Sequence, residues 1–349
     1  MQLVHGGDWA GYRAEFGRDA LDFSANVSPL GLPEGVARAI TAALPTADRY
    51  PDPLCRELRA KLALHEGVPA EQILCGNGAA DLIFRLVWAK KPRRALVTAP
   101  TFAEYATALE SIRCTVERFF LREQEDFAVT DAFCAAIRPG VDMVFLCQPN
   151  NPTGQLTALP LVEQVLRRCA ACGTLLVVDE CFLDFLPDHA LHTAKGLLGE
   201  GNLVILKAFT KLYGMAGVRL GYALSADTAL LEQMQACGQP WGCFQSGAGG
   251  GACRAGGDGV CGKGPGPHCR TTAPPDGWAA GAGPAGAGGQ SKYLLFQAPE
   301  TLGEALRQRG AVLRSCANYP GLGPGWYRTA VRTAPENQQL LKTLQEVLA

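Results

Sequence analysis

Short apolar runs recur along this chain, and longer stretches with helical spacing separate them. ILCG, RALVTA, VDMVFLC, TLLVVDE, NLVILKA and RLGYAL are the runs, and LPLVEQVLRRCAACG is the clearest helical stretch. A run that is continuously apolar rather than alternating suits a strand covered on both faces, and such strands belong to parallel sheets packed between helices. The pattern predicts an α/β fold: a mostly parallel sheet flanked by helices, with its site at the carboxyl ends of the strands. Near the end, YLLFQA, TLGEALRQRG and ENQQLLKTLQEVLA supply strand and helices for a second, smaller α/β domain. The expected division is an N-terminal segment, 1–30, that joins the small domain, a large domain, 31–241, an aberrant segment, 242–290, and the small C-terminal domain, 291–349. A chain of 349 residues holds two such domains comfortably.

Composition narrows the partners. A net charge of −1 with no basic stripe argues against nucleic acid. No run approaches membrane-spanning length, and MQLVHGGDWAGYRAEF has no apolar signal core, so the expectation is a cytoplasmic protein with no membrane partner. The 14 cysteines then read as reduced thiols. Cys75 and Cys147 sit singly in apolar runs, where cysteine behaves as a small hydrophobe.

The residues able to carry chemistry follow the apolar runs. Leu206 to Tyr222, LKAFTKLYGMAGVRLGY, puts Lys211 in a polar turn after a strand and Arg219 eight residues on. A primary amine there can form a Schiff base with an aldehyde cofactor, and Thr210 and Arg219 can hold that cofactor's phosphate. A lone lysine after a strand is otherwise an ordinary surface residue. LLVVD closes on Asp179, an acid suited to keeping a ring nitrogen protonated, or to capping a helix. In QPNNPTG, Asn151 can donate to a ring oxygen, although Pro and Gly there are also plain turn formers. ILCGNGAA runs from a strand through a Gly-rich turn into a helical pattern, so the backbone N–H groups of Gly78, Ala79 and Ala80 can attract a phosphate. Phe102, in PTFAEY, is either core or a platform for a cofactor ring.

In this order the segments resemble those of the fold-type I pyridoxal 5′-phosphate (PLP) enzymes. HGGD, LDFSANVSPLGLP, RYPDP, DECFLDF, LKAFTKLYG and LRSCANYPGLGPGWYRTAVRT are similar, more narrowly, to the L-threonine-O-3-phosphate decarboxylase family of cobalamin biosynthesis. The histidinol-phosphate aminotransferases are close relatives that share the cofactor residues. The resemblance covers residues 1–241 and 290–349. It implies the fold-type I PLP-dependent transferase architecture, PLP as cofactor, no metal, and a homodimer. Lys211 would then carry the cofactor, Asp179 pair with its ring nitrogen, Asn151 hold its ring oxygen and Phe102 stack on the ring. Gly78, Ala79, Ala80, Thr210 and Arg219 would hold the cofactor phosphate, with Tyr50 reaching in from a second subunit. The implied partner is a phosphorylated amino acid, its carboxylate on Arg328 and its phosphate on Arg314, His5 and Asn26. The implied reaction is decarboxylation of L-threonine O-3-phosphate to (R)-1-aminopropan-2-ol phosphate and CO2, because Phe182 stands where the aminotransferases usually carry Tyr. A histidinol-phosphate-type transamination is the alternative, and so is a non-catalytic product.

The last alternative comes from residues 242–290. Seventeen of the chain's 41 glycines fall there, with no Leu, Ile, Met or Tyr and a single Val, so the segment carries little apolar surface to offset the entropy of ordering it. The resemblance stops at Pro240-Trp241 and resumes near Lys292 with roughly the family's spacing kept between them. Back-translated with suitable codons and shifted by one nucleotide, the stretch after Trp241 can encode Gly-Ala-Val-Ser-Ser-Pro-Ala-Gln, a continuation similar to the family's. A shifted reading frame and a Gly-rich insert both account for it. Cys253, Cys261, His268 and Cys269 have spacings that match no common zinc finger.

Overall fold

The computed structural model describes residues 5–243, 286–287 and 292–349. Its central sheet has seven strands, in the spatial order Ile73–Gly76, Gly221–Leu224, Leu203–Ala208, Leu175–Asp179, Met143–Cys147, Arg94–Ala99 and Thr115–Phe120. Neighbours run parallel except at Gly221–Leu224, which is antiparallel to both of its flanks. The inner strands Met143–Cys147, Leu175–Asp179 and Leu203–Ala208 are buried at every residue. That is why they read as unbroken apolar runs.

Successive side chains leave a strand on opposite faces, and the sheet sorts them into two cores. Val178 and Ile205 pack with Leu58, Leu62, Val162 and Val165 on one face. Val177 and Val204 pack with Leu82, Ile83, Leu86 and Tyr105 on the other. Helix Leu159–Cys172 turns Val162, Val165, Leu166 and Cys169 inward, a spacing of three and four that makes one helical stripe. A proline in its first turn costs no hydrogen bond, and Gly173 ends it at φ 67, where any side chain would be strained. Removing one of these buried leucines, as in Leu166→Ala, costs about 2–5 kcal/mol in lost contact and residual cavity.

The smaller part is built on Tyr293–Gln297, which pairs antiparallel with Trp326–Ala330 and with Gly286–Ala287. Arg314–Ser315 adds to the far side of Trp326–Ala330. The N-terminal chain joins this part through Leu21–Asp22, which runs parallel to Ala311–Val312, and Phe23 enters a core with Phe296, Leu306 and Leu340. The closing helix Ala334–Leu348 starts with a reciprocal cap between Thr333 and Glu336. Among the described residues no helix is long and apolar enough to cross a membrane. Apart from Gly242, Cys243, Gly286 and Ala287, the readings made on residues 242–290 (irregular segment, shifted frame, zinc ligands) lie outside the described residues.

Candidate active site

Two adjacent strands deliver an acid and an amine to the same end of the sheet. Asp179 is the last residue of Leu175–Asp179, and Lys211 lies three residues beyond Leu203–Ala208. Asp179 is 5% exposed; its Oδ2 accepts from the Tyr105 hydroxyl at 2.6 Å and its Oδ1 from the Cys181 backbone N–H at 3.0 Å. Lys211 forms no ion pair within 4 Å among the described residues. Burial, and then the Arg328 charge, push its amine down to about 8. The Phe182 ring lies 5.5 Å from Lys211 Nζ and meets Tyr293 edge-on at 5.1 Å. A lysine with a lowered pKa and no carboxylate partner is available as a nucleophilic amine near neutral pH.

A concave group forms beside it. Helix Ala79–Lys90 begins after Gly78, which has φ +83 and makes no side-chain cap. A Cβ on Gly78 would sit 2.8 Å from Arg219 Nη2, and one on Gly221 would sit 2.8 Å from the Ala79 nitrogen. Glycine at both positions thus lets the turn, the helix start and the Arg219 guanidinium converge. The Gly78 N–H already donates to the Gly76 carbonyl at 2.8 Å, so the N–H groups of Ala79 and Ala80, the helix dipole and a guanidinium are what suit a phosphate. Thr210, buried, neighbours Lys211 in the chain.

The opposite wall comes from the small part. Arg314 and Arg328 are Cα partners across an antiparallel pair, so their side chains share a face. Arg328 donates to Asn151 Oδ1 at 2.6 Å and to the Ser24 carbonyl at 2.7 Å. Arg314 donates to the Ser315 carbonyl at 2.6 Å and to Asn318 Oδ1 at 2.8 Å. Like charges placed directly opposite repel, and an anion between them removes that cost. Asn26 Nδ2 and Oδ1 and Arg328 Nε are buried and have no hydrogen-bond partner among the described residues. Buried polar atoms are nearly always satisfied, so these three mark where a ligand supplies the missing bonds. Together the amine, the acid, the phosphate cradle and the orphaned atoms fit an aldehyde cofactor bearing a ring nitrogen and a phosphate.

The remaining expected residues are placed as follows. Phe102 meets Tyr105 edge-on at 5.6 Å, and His5 lies 5.9 Å from the Phe102 ring with its Nε2 2.7 Å from Glu104 Oε1. Tyr50 is 79% exposed, and its ring stacks on Trp241 at 4.3 Å. Sequence reasoning missed Tyr105, Glu104, Ser24 and Tyr293, whose hydroxyl donates to the Asn150 carbonyl at 2.9 Å. Tyr105 lies in the first turn of the helix Glu104–Ser111, and nothing local in PTFAEY points to its partner Asp179.

Residues 18–256 match the family described as aminotransferase class I and II. The chain is 38% identical to the threonine-phosphate decarboxylase of Salmonella typhimurium, over 94% of this chain and 91% of that protein. It is 30% identical to a histidinol-phosphate aminotransferase of Desulfitobacterium hafniense, over 95% and 92%. Among solved structures, the histidinol-phosphate aminotransferase of Sinorhizobium meliloti, in complex with pyridoxal-5′-phosphate, superposes with a TM-score of 0.85 at 21% identity, covering 100% of this chain and 95% of that one. The L-threonine-O-3-phosphate decarboxylase of Porphyromonas gingivalis gives 0.76 at 21%, covering 94% and 98%. The last two likenesses establish a shared fold.

Proposed function

We propose that this chain, which belongs to the aminotransferase class I and II family, is a PLP-dependent decarboxylase acting on L-threonine O-3-phosphate. The observation that carries the reading is Arg314 partnered with Arg328, facing a site whose amine and acid suit PLP. An amino acid with two anionic groups needs two such cations, and guanidinium forks suit both carboxylate and phosphate. The products are (R)-1-aminopropan-2-ol phosphate and CO2, which places the reaction in cobalamin biosynthesis.

PLP, when bound, supplies an aldehyde for amines and a protonated ring that accepts the electrons of a breaking bond at Cα. Lys211 Nζ holds the cofactor covalently between turnovers and can return a proton to the carbon that loses CO2. Asp179 would keep the ring nitrogen protonated, Asn151 would donate to the ring oxygen, and Phe102 would lie against the ring. Gly78, Ala79, Ala80, Thr210 and Arg219 take the cofactor phosphate, with Tyr50 of a second subunit, so the reading includes a homodimer. Arg328 would hold the substrate carboxylate and so orient the bond that breaks, while Arg314, His5 and Asn26 would hold the substrate phosphate. Phe182 offers no hydroxyl near Lys211, which favours the decarboxylase over the related aminotransferases. The 1–30 segment with 291–349 as one domain, 31–241 as the other, and a cytoplasmic location belong to the same reading.

The test is a carbon balance. Threonine phosphate should release CO2 from the PLP-loaded protein without 2-oxoglutarate. Turnover strictly dependent on an oxo-acid acceptor would transfer the reading to a histidinol-phosphate-type aminotransferase. A protein that takes up PLP yet turns over neither substrate would be a non-catalytic binder.

A further inference from the structure

The helix Glu104–Ser111 brings one polar atom to the site that none of the roles above uses. Tyr105 is fully buried, stacked on Phe145 at 4.7 Å and edge-on to Phe102 at 5.6 Å. Rings on two sides hold its phenol in one orientation, and its hydroxyl donates to Asp179 Oδ2 at 2.6 Å. The Cys181 N–H occupies the other oxygen, Oδ1. The carboxylate plane is therefore set from two directions before any ligand arrives. Phe102 and Asp179, the expected platform and nitrogen partner of the same ring, are thus joined through one side chain.

We propose that Tyr105 is a positioning residue that works through Asp179: its hydroxyl fixes the carboxylate plane, so that the acid stays aimed at the cofactor ring nitrogen and the shared proton stays on the ring. The inference rests on the PLP reading above. Without the phenol one carboxylate oxygen loses its fixed partner and the plane is free to turn. A ring nitrogen that loses an aligned acid loses its proton, and a neutral ring is a weaker electron acceptor. Burial, and then the neighbouring Asp179 charge, push the Tyr105 hydroxyl well above its usual range, so it stays protonated as the donor. The role needs no movement of the residue and no contact with substrate.

Tyr105→Phe removes the oxygen and keeps the ring that packs on Phe145. The test compares wild type, Tyr105→Phe, Asp179→Asn and the double variant, each loaded with PLP labelled with nitrogen-15 in its ring. Wild type must first show the visible cofactor band and a borohydride-stable adduct; without them the PLP reading itself fails, and this inference with it. Given that band, Tyr105→Phe should move the ring-nitrogen resonance toward neutral pyridine and lower kcat about tenfold, the worth of one hydrogen bond to a charged group. KM should change less than about twofold, because substrate binding is untouched. In the Asp179→Asn background the same substitution should change neither readout, since no carboxylate remains to be tuned. An unmoved resonance in Tyr105→Phe, or an equal kcat loss in both backgrounds, would overturn the proposal while leaving the PLP reading intact.

Discussion

Two lysines four residues apart, Lys207 and Lys211, meet opposite electrostatic surroundings. Lys207 leaves its strand on the face opposite Asp179, into a closed ionic cluster. Its Nζ lies 3.0 Å from Asp184 Oδ1 and 3.6 Å from Glu66 Oε1. Glu66 is met in turn by Lys195 at 3.1 Å and by the Tyr222 hydroxyl. Glu180, next in sequence to Asp179, accepts from the Thr193 hydroxyl at 2.8 Å and the Ala194 N–H at 2.7 Å. Among the described residues Lys211 has no such acid, and Asn26 and Arg328 on its side keep orphaned atoms. One cluster is finished by the chain itself, and the other is left incomplete among the described residues. Buried charge alone therefore does not mark a site; buried charge left incomplete does.

The largest difference should appear in covalent chemistry. Lys211→Ala should abolish the visible cofactor band and the borohydride-stable adduct, because Schiff-base chemistry needs a primary amine at that place. Lys207→Ala, if it folds, should keep both. An adduct that persists in Lys211→Ala at another lysine would break the comparison at its root.

Stability should move the other way. Removing one member of a buried ion pair strands its partners, so Lys207→Ala should cost about 3–5 kcal/mol, read as a lower urea midpoint of the cofactor-free protein. Lys211→Ala should leave that midpoint unchanged or raised, since it removes a buried amine with no acid against it. Equal losses in the two variants would mean that the two neighbourhoods do not differ as described.

A smaller effect is expected at the paired arginines. Arg328→Ala should reduce kcat/KM for threonine phosphate by about 2 kcal/mol, roughly thirtyfold, the usual worth of hydrogen bonds to a charged group. Arg314→Lys keeps the charge but loses the fork, so it should act chiefly on KM. A variant of either residue with unaltered kinetics would remove it from the substrate wall.

Much of this contrast was legible before any coordinates. The apolar runs pointed to the parallel sheet because both faces of each strand are covered, and Asp179 and Lys211 stood out because each ends or follows such a run. Lys207 was passed over because it sits inside the run LVILKA, where a single lysine gives no hint of Glu66, 141 positions earlier, or of Asp184. Tyr105 was missed for the same reason: its partner Asp179 is 74 residues away. Gly221 lay inside the apolar run RLGYAL, and only packing shows that a Cβ there would strike the Ala79 nitrogen. Pairings across sheet faces are set by topology, which local pattern does not encode.

The smallest expected effect is a matter of sign in alkaline solution. Lys211 has a folded pKa of about 8, lowered first by burial, against an ordinary 10.5 in the unfolded chain. Between these two values the unfolded chain keeps a proton that the folded chain has released, so stability rises with pH across that window. The slope is at most about 1.4 kcal/mol per pH unit for one proton. Lys207 behaves oppositely. Burial works against its charge, but Asp184, Glu66 and Glu180 outweigh it and hold the pKa well above 10.5. Its contribution is fully present below 10.5 and falls away only as the pH climbs beyond. Urea midpoints of cofactor-free wild type and Lys211→Ala, followed from pH 8 to pH 10, isolate the first lysine. Wild type should gain on the variant by about 1 kcal/mol per unit. Parallel curves would mean that Lys211 titrates as an ordinary lysine, and the site would then lack the one amine its chemistry needs near neutral pH.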